Sequence, residues 1–409
     1  MLKNIQSAMT QNIKNSTVIM RLTCAIFFLL FTFLYLYDYQ ADVMAVTQYV
    51  LSKGATHYNR TIGALLITIV LWLLQIAIYA TTKLCRQTHA LTYFPSLLLL
   101  AILTDVSPHI DTESYLGNWL WGFPLIMVAF AGVVWVCKQL ESLDIAINNF
   151  NIFSRLEWTN MLVMTIMCVA VCLIGSSYEV FHYRMNIEGK LMKGDYKKSI
   201  DVGVKAEETD SSLTMLRAWA LSENRLMGQC LFEYPLVGHS DALLPNGSSV
   251  KLMMASEKQL YKKFGVVFID KMPPRTYFEK LQHSRWATSE ANDWLLCAYL
   301  LDCDLDKFVH TIGKYYDLNG KLPKHYREAL ILYTHLKSHP FIVYHNAVMD
   351  ADYEDYQELG RKYPNPKERY SMLRDNYGKT YWFYYEYNED QCKVRNARFN
   401  VQARNGMAQ

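Results

Sequence analysis

The sequence predicts an all-α chain in two parts: an N-terminal bundle of about five transmembrane helices, followed by a soluble helical domain. Three observations carry that reading. The long apolar runs of the 409 residues fall almost entirely before residue 178. Lys and Arg gather in alternate connections between those runs. Downstream, the pattern changes to amphipathic stretches bounded by Gly, Pro and acidic capping residues, as in water-soluble helices. The boundaries that follow are an N-terminal segment 1–16, a membrane part 17–177, a helical domain 178–387 and a polar tail 388–409.

Composition narrows the function classes. Hydrophobic residues make up 51% of the chain, and the formal charge is only +3. With no basic stripe carrying interleaved aromatics, nucleic acid is not an expected partner. The nine cysteines show neither CxxC nor a Cys/His zinc spacing. Cys24, Cys137, Cys168 and Cys172 sit in apolar runs and read as small hydrophobes. Cys230, Cys297, Cys303 and Cys392 are available for pairing if that half is exported, but their spacing does not require it.

The membrane elements follow from length and apolarity. A hydrocarbon core about 30 Å thick needs roughly 20 apolar residues in a helix. Five segments are assigned as spans: 17–37, 61–80, 91–106, 117–137 and 159–177. The third is short and carries Pro95 near its start. A cleaved signal peptide is the competing reading of the first, but its run is long for one and no A-x-A-like site follows.

Orientation follows from the positive flanks. With the N-terminus inside, the cytoplasmic side holds Lys3, Lys14, Arg21, Lys83, Arg86, Lys138 and Arg155, against Lys53 and Arg60 opposite. Positive flanks in short loops resist translocation. Five spans therefore put residues after 178 outside the cytoplasm, and losing the third would reverse that. The spans carry no central acidic or basic residue, which disfavours an ion-coupled pump. Arg21 can snorkel to a helix end, and Gln75 can hydrogen-bond a neighbouring helix.

One membrane-proximal cluster has ligand chemistry: Asp105, His109, Asp111 and Glu113 in TDVSPHIDTE. Carboxylates with an imidazole can bind a divalent cation. Pro108 interrupts any helix that would align them, and a solvated acidic loop accounts for them equally well. Accordingly, no catalytic, cofactor or metal residue is assigned.

The downstream elements open with LMKGDYKKSIDVGVKAEE, residues 191–208. Gly194 is placed to end one helix and Asp195 to cap the next through its carboxylate. Tyr196, Ile200 and Val204 then form an apolar stripe, with Ser199, Gly203 and Ala206 small enough for a close helix approach. That combination resembles the tetratricopeptide repeat, although the Leu-Gly pair usual in its first helix is missing and the spacing of later hairpins is irregular. Asp304 repeats the cap, with Phe308 and Ile312 on its stripe. Helices are expected at 323–337, 352–363 and 366–387, a long loop at 234–252 and a short strand at 265–270. TYWFYYEY (380–387) suits a terminal helix that seals the domain or, alternatively, a membrane interface.

With its LTYFPSLLLLAILTDV, RAWALSENRL and LPKHYREALILY segments, the chain resembles uncharacterised bacterial multi-pass inner-membrane proteins with a tetratricopeptide-like extracytoplasmic domain. No activity comes with that resemblance; the architecture, with the fifth span ending at Ser177 just before the first downstream helix, leads to the expectation of an α-solenoid scaffold held close to the bilayer, binding a protein partner through residues 178–387, with no cofactor assigned. The rival expectation is a membrane enzyme or transporter acting on envelope glycans or lipids. Its candidates are the acidic cluster above and His325, Tyr326, Arg327 and Glu328. Those four point in different directions on a helix and read as a solvated face with Tyr326 turned inward.

Overall fold

The computed structural model describes residues 2–112, 115–140, 155–267 and 272–388, with side chains from residue 17 onward. Among these residues every regular element is helical and no strand occurs. The chain divides into two compact units, Met1–His182 and Tyr183–Gln409.

In the first unit, α1 (Leu2–Leu34) starts well before its apolar run and passes into a π-helical turn, Tyr35–Tyr39. A short helix, α2 (Ala41–Leu51), occupies the connection where only a loop is expected. Next comes α3 (Arg60–Thr82), whose first turn is capped because Asn59 Oδ1 accepts the Thr61 and Ile62 N–H groups at 3.1 Å. A 3₁₀ turn, His89–Tyr93, then leads into α4 (Phe94–Thr104). Pro95 sits in the first turn of α4, where its missing N–H costs no helical bond. The unit is completed by α5 (Trp119–Leu140) and α6 (Arg155–Ile174).

Among the described residues four helices are long and apolar enough to cross a membrane: Thr17–Tyr39, Arg60–Thr82, Trp119–Leu140 and Arg155–Ile174. The segment expected as the third span is shorter, His89–Thr104. Its five 3₁₀ and eleven α residues span about 26 Å. It is almost wholly buried, with Tyr93, Leu97, Leu100 and Ala101 sharing one core with Phe28, Leu71, Met164 and Val171.

This short segment nevertheless runs from one end of the bundle to the other. At the first end, Asn160 of α6 accepts the Ala90 N–H (2.8 Å) and donates to Arg86 O (3.0 Å). The guanidinium of Arg21 lies over the Tyr79 ring there, and Tyr79 meets His89 edge-on. Midway, Gln75 donates to Thr92 (2.9 Å) and Ser96 to Leu71 O (2.8 Å). At the far end, Ser176 N–H donates to Thr104 O (2.8 Å). Gln40 donates to Ser176 O (3.0 Å) and to Tyr35 Oη (3.1 Å), and Arg60 pairs with Asp38 at 2.7 Å. The passes therefore alternate in direction. Trp119 starts α5 at the Thr104 end, its indole donating to Asp105 (2.7 Å).

The second unit follows from α7 (Glu179–Lys193), and its first hairpin departs from the expected one. Gly194 does take a positive φ of 76°, but α8 (Tyr196–Ile200) is barely more than one turn. Asp195 makes no side-chain capping bond. Gly203 turns the chain at φ 64°, where an added Cβ would stand 3.0 Å from the Tyr183 ring. Tyr196 and Val204 are exposed, so the predicted stripe does not form, while Ser199 is buried.

The remaining helices are α9 (Ser211–Glu223), α10 (Met227–Cys230), α11 (Glu257–Phe264), α12 (Pro274–Leu281), α13 (Glu290–Leu301) and α14 (Leu305–Ile312). Then come α15 (Lys324–Leu336), α16 (Ala347–Lys362), α17 (Pro366–Tyr377) and a last helix over 381–388. A 3₁₀ turn, His239–Leu243, lies within the predicted loop 234–252. Of the expected strand, residues 265–267 are irregular and 268–270 lie outside the described residues. So does the tail from 389 onward.

The unit is organised around α13, whose Leu295–Leu301 run is buried throughout and which packs against α9, α10, α11, α12 and α14. Asp304 caps α14 by accepting the Lys307 N–H (3.1 Å), and Phe308 and Ile312 are buried as the pattern requires. Beside that cap, the buried Arg275 pairs with Asp302 (3.2 Å) and with Asp304. Asp302, itself fully buried, also accepts the Ser240 N–H (3.1 Å) and hydroxyl (2.8 Å). Burial opposes the charge on Arg275, but Asp304 and Asp302 outweigh it and raise the guanidinium pKa.

Removing one partner of a buried ion pair leaves the other charge uncompensated. Arg275→Ala should therefore destabilise the fold by about 3–5 kcal/mol. Ser199→Trp should cost about 1–3 kcal/mol by overpacking. Lys197→Ala, on the exposed side of α8, should stay within about 0.5 kcal/mol of wild type. Denaturation of the full chain in detergent micelles, followed by near-ultraviolet circular dichroism, tests the set; equal midpoints for all three would contradict the packing described.

Candidate functional site

The groups in the second unit with chemical potential fall into a buried set and a cleft. Pro323 precedes α15 and has no N–H to satisfy, so the first turn begins directly with Lys324. Tyr326 is turned inward as expected, but His325 and Glu328, expected on a solvated face, are buried too. His325 Nδ1 and Glu328 Oε2 are hydrogen-bonded at 2.8 Å. The same Oε2 accepts the Tyr381 N–H (2.7 Å), while the Trp382 indole donates to Glu328 O (2.9 Å). Phe232 meets the imidazole edge-on at 5.2 Å. The expected exposure fails because the last helix covers this face of α15. The pair works as a clasp that fixes the aromatic 380–387 segment.

Tyr326 is held just as firmly. Its hydroxyl donates to Asp293 (2.9 Å), which also accepts the Tyr316 hydroxyl (2.6 Å). Its ring lies on Gly228, where a Cβ would meet it at 2.5 Å. Gly228 is thus a close-approach glycine. Burial pushes the Cys297 thiol beside this network well up, away from a reactive thiolate. No disulfide joins Cys230, Cys297 and Cys303, and Cys392 lies outside the described residues.

Another buried carboxylate, Glu188 on α7, accepts the N–H groups of Met253 (2.9 Å), Met254 (2.6 Å) and Ala255 (2.7 Å) through one oxygen. Burial pushes its pKa above the usual carboxylate range. The three N–H donors and Arg184 pull the other way without cancelling it. Nothing in the spacing of 188 and 253 announces this contact.

Of the acidic loop weighed as a cation site, Asp105 is committed to the Trp119 indole, His109 and Asp111 are exposed in a turn, and Glu113 lies outside the described residues. Among the described residues no three His, Cys, Asp or Glu side chains gather to hold a metal ion.

The remaining member of the α15 set, Arg327, lines a cleft of about 550 Å³ in the second unit. Met349, Trp382 and Val348 give the cleft an apolar wall, and Asn346 and Gln229 line it too. Lys324 at its edge is occupied by Glu233 (3.0 Å) and Lys379 O (2.9 Å). Arg327 is not: its Nε is buried without a hydrogen-bond partner, and among the described residues no carboxylate pairs with it. The donor fork of a guanidinium matches a carboxylate, and the acidic Asp352 and Glu328 also line the cleft.

The Glu188 geometry predicts a pH dependence. A carboxyl whose folded pKa is raised stabilises the fold fully below its unfolded pKa, and that contribution is lost as pH rises through the folded pKa. Glu188→Gln, which keeps an acceptor for the N–H groups, should flatten stability against pH above about 4.5. Glu188→Ala leaves three buried donors unpaired and should cost about 3 kcal/mol or more. Hydrogen exchange at residues 253–255 measured against pH checks both; identical profiles for wild type and Glu188→Gln would contradict this assignment.

Comparison with known proteins adds one match. Residues 258–388, which include α13, α15 and most of the cleft, match the model of a family of unknown function (DUF6057). No curated protein and no solved structure matches the chain.

Proposed function

We propose that this chain is a multi-pass protein of a bacterial inner membrane, crossing the bilayer five times with its N-terminus in the cytoplasm. Its C-terminal helical unit, a degenerate tetratricopeptide-like module, binds a protein segment outside the cytoplasm. The observation that carries the membrane reading is α5. Leu120, Trp121, Leu125, Val128, Trp135 and Leu140 are all exposed on it, and only Phe130 is buried. Each large apolar side chain left in water forfeits about 1.5–3 kcal/mol. A helix apolar all round and almost uncovered is in its proper solvent only in lipid.

Charge supports the orientation. Lys83, Arg86, Lys138 and Arg155 flank the bundle end that holds Arg21, whereas Lys53 and Arg60 flank the other, with Arg60 neutralised by Asp38. The alternating passes, counting the short one, carry residue 178 away from the positive end. Binding is supported by the open guanidinium of Arg327 beside Met349 and Trp382.

A reporter active only outside the cytoplasm should therefore work when fused after residue 387 and be silent when fused at residue 150. The reverse pattern would sink the orientation. For the binding half, a photo-crosslinking residue at the exposed Val348 should capture a discrete partner in intact cells. Arg327→Ala should reduce that capture by about tenfold, the weight of a charged hydrogen bond. Unchanged capture in Arg327→Ala would remove the cleft from the interface.

A further inference from the structure

The connection between α15 and α16 is composed for a β-strand. Phe341, Ile342, Val343 and Tyr344 are strong β formers, yet residues 343–346 belong to no regular element. Exposure alternates along the stretch: Phe341, Val343 and His345 are exposed, whereas Ile342, Tyr344 and Asn346 are half-buried. That is the period of an extended chain, and Asn346 itself is extended, at φ −144° and ψ 112°.

Its two edges differ. On one, Tyr344 N–H donates to Thr334 Oγ1 (3.2 Å) and Asn346 N–H to Asp350 Oδ2 (3.0 Å). In an extended chain alternate N–H groups face opposite edges, so those of Val343 and His345 face away from these acceptors. Among the described residues nothing bonds the backbone N–H or C=O of Val343 or His345. No Lys or Pro guards the stretch from Phe341 to Asn346. An apolar edge left open in this way is a template for another strand.

The chain carries a segment that fits it, outside the described residues. In ARFNVQAR (397–404), Ala397, Phe399, Val401 and Ala403 alternate with Arg398, Asn400, Gln402 and Arg404, a period-two pattern. Charge is complementary as well. Between 391 and 409 every charged residue is basic: Lys393, Arg395, Arg398 and Arg404. By contrast α16, which begins directly after Asn346, carries exposed Asp352, Glu354, Asp355 and Glu358 before its first basic residue, Arg361. The two segments are also within reach. The Tyr353 ring lies against both His335 near the end of α15 (5.0 Å) and Trp382 of the last helix (5.1 Å). Residues 389–396 can extend about 28 Å beyond that helix.

We propose that residues 397–403 add a strand to the open edge at Val343–His345 of the same molecule, their basic side chains drawn to the acidic α16. Strand addition takes its affinity from main-chain hydrogen bonds and its selectivity from alternate side chains. A tethered strand competes at an effective concentration near the millimolar range, so an extended segment of another protein must displace it. The pairing does not depend on where the unit lies relative to a bilayer.

Hydrogen exchange of the full chain in detergent micelles, read by mass spectrometry, tests this. Residues 341–346 should exchange about tenfold more slowly in the full chain than in a chain ending at residue 390. The shortened chain keeps every hydrogen bond described above, so α13 should be equally protected in both. Asn400→Pro combined with Val401→Pro removes two successive N–H groups, one of which must face the edge. That variant should exchange like the shortened chain, and the protection should not change with protein concentration. Equal exchange of 341–346 in the full and shortened chains overturns the proposal. Protection that survives the two prolines overturns the strand pairing. Protection that grows with concentration gives the edge to a second copy and overturns the intramolecular pairing.

Discussion

The pair of polar clamps on the short segment His89–Thr104 determines how the helices of the first unit are disposed. At one end Asn160 holds Ala90 and Arg86. At the other, Thr104 O receives Ser176 N–H, and Gln40 ties Ser176 to Tyr35. The segment is shorter than its neighbours, and these bonds fix both of its ends. The directions of α5 and α6 follow from its running the length of the bundle. Hydrocarbon offers backbone groups no partners, so on the proposed membrane placement the same bonds keep the ends of the segment satisfied.

In the second unit an analogous role belongs to α13. It carries no charge along its buried run, and the ionic groups are placed at its margins: Arg275 with Asp302 at one end, Asp293 with two tyrosines near the other. The His325–Glu328 clasp then ties the last helix to α15. The cleft bordered by Arg327 thus stands beside this clasp, and Arg327 itself pairs with no carboxylate among the described residues.

Local features of this architecture are legible in the amino-acid sequence. Apolar length locates the four long helices to within a few residues, and the cap at Asp304 acts over a single turn, which is the range at which sequence speaks most clearly. Hairpin 196–204 misleads because Gly203, which reads as a small packing residue, takes a positive φ and ends the helix. His325 and Glu328 of α15 are misread, while Tyr326 is not, because helical periodicity says which residues share a face but not what covers that face, and the cover comes from residues 381–388. Contacts such as Glu188 with 253–255, Arg275 with Asp302 and Gly228 with Tyr326 join positions far apart in the chain. No local pattern marks them.

Whether the short segment completes a crossing can be measured directly by single-cysteine labelling with a membrane-impermeant thiol reagent, in a background with the nine native cysteines replaced. Lys53→Cys, Gln87→Cys and His109→Cys each place an exposed thiol in one connection of the bundle. If the crossing is complete, positions 53 and 109 react in intact cells, whereas 87 reacts only after the membrane is permeabilised. Positions 87 and 109 reacting from the same side would contradict it, because the segment between them would then enter and leave by one face.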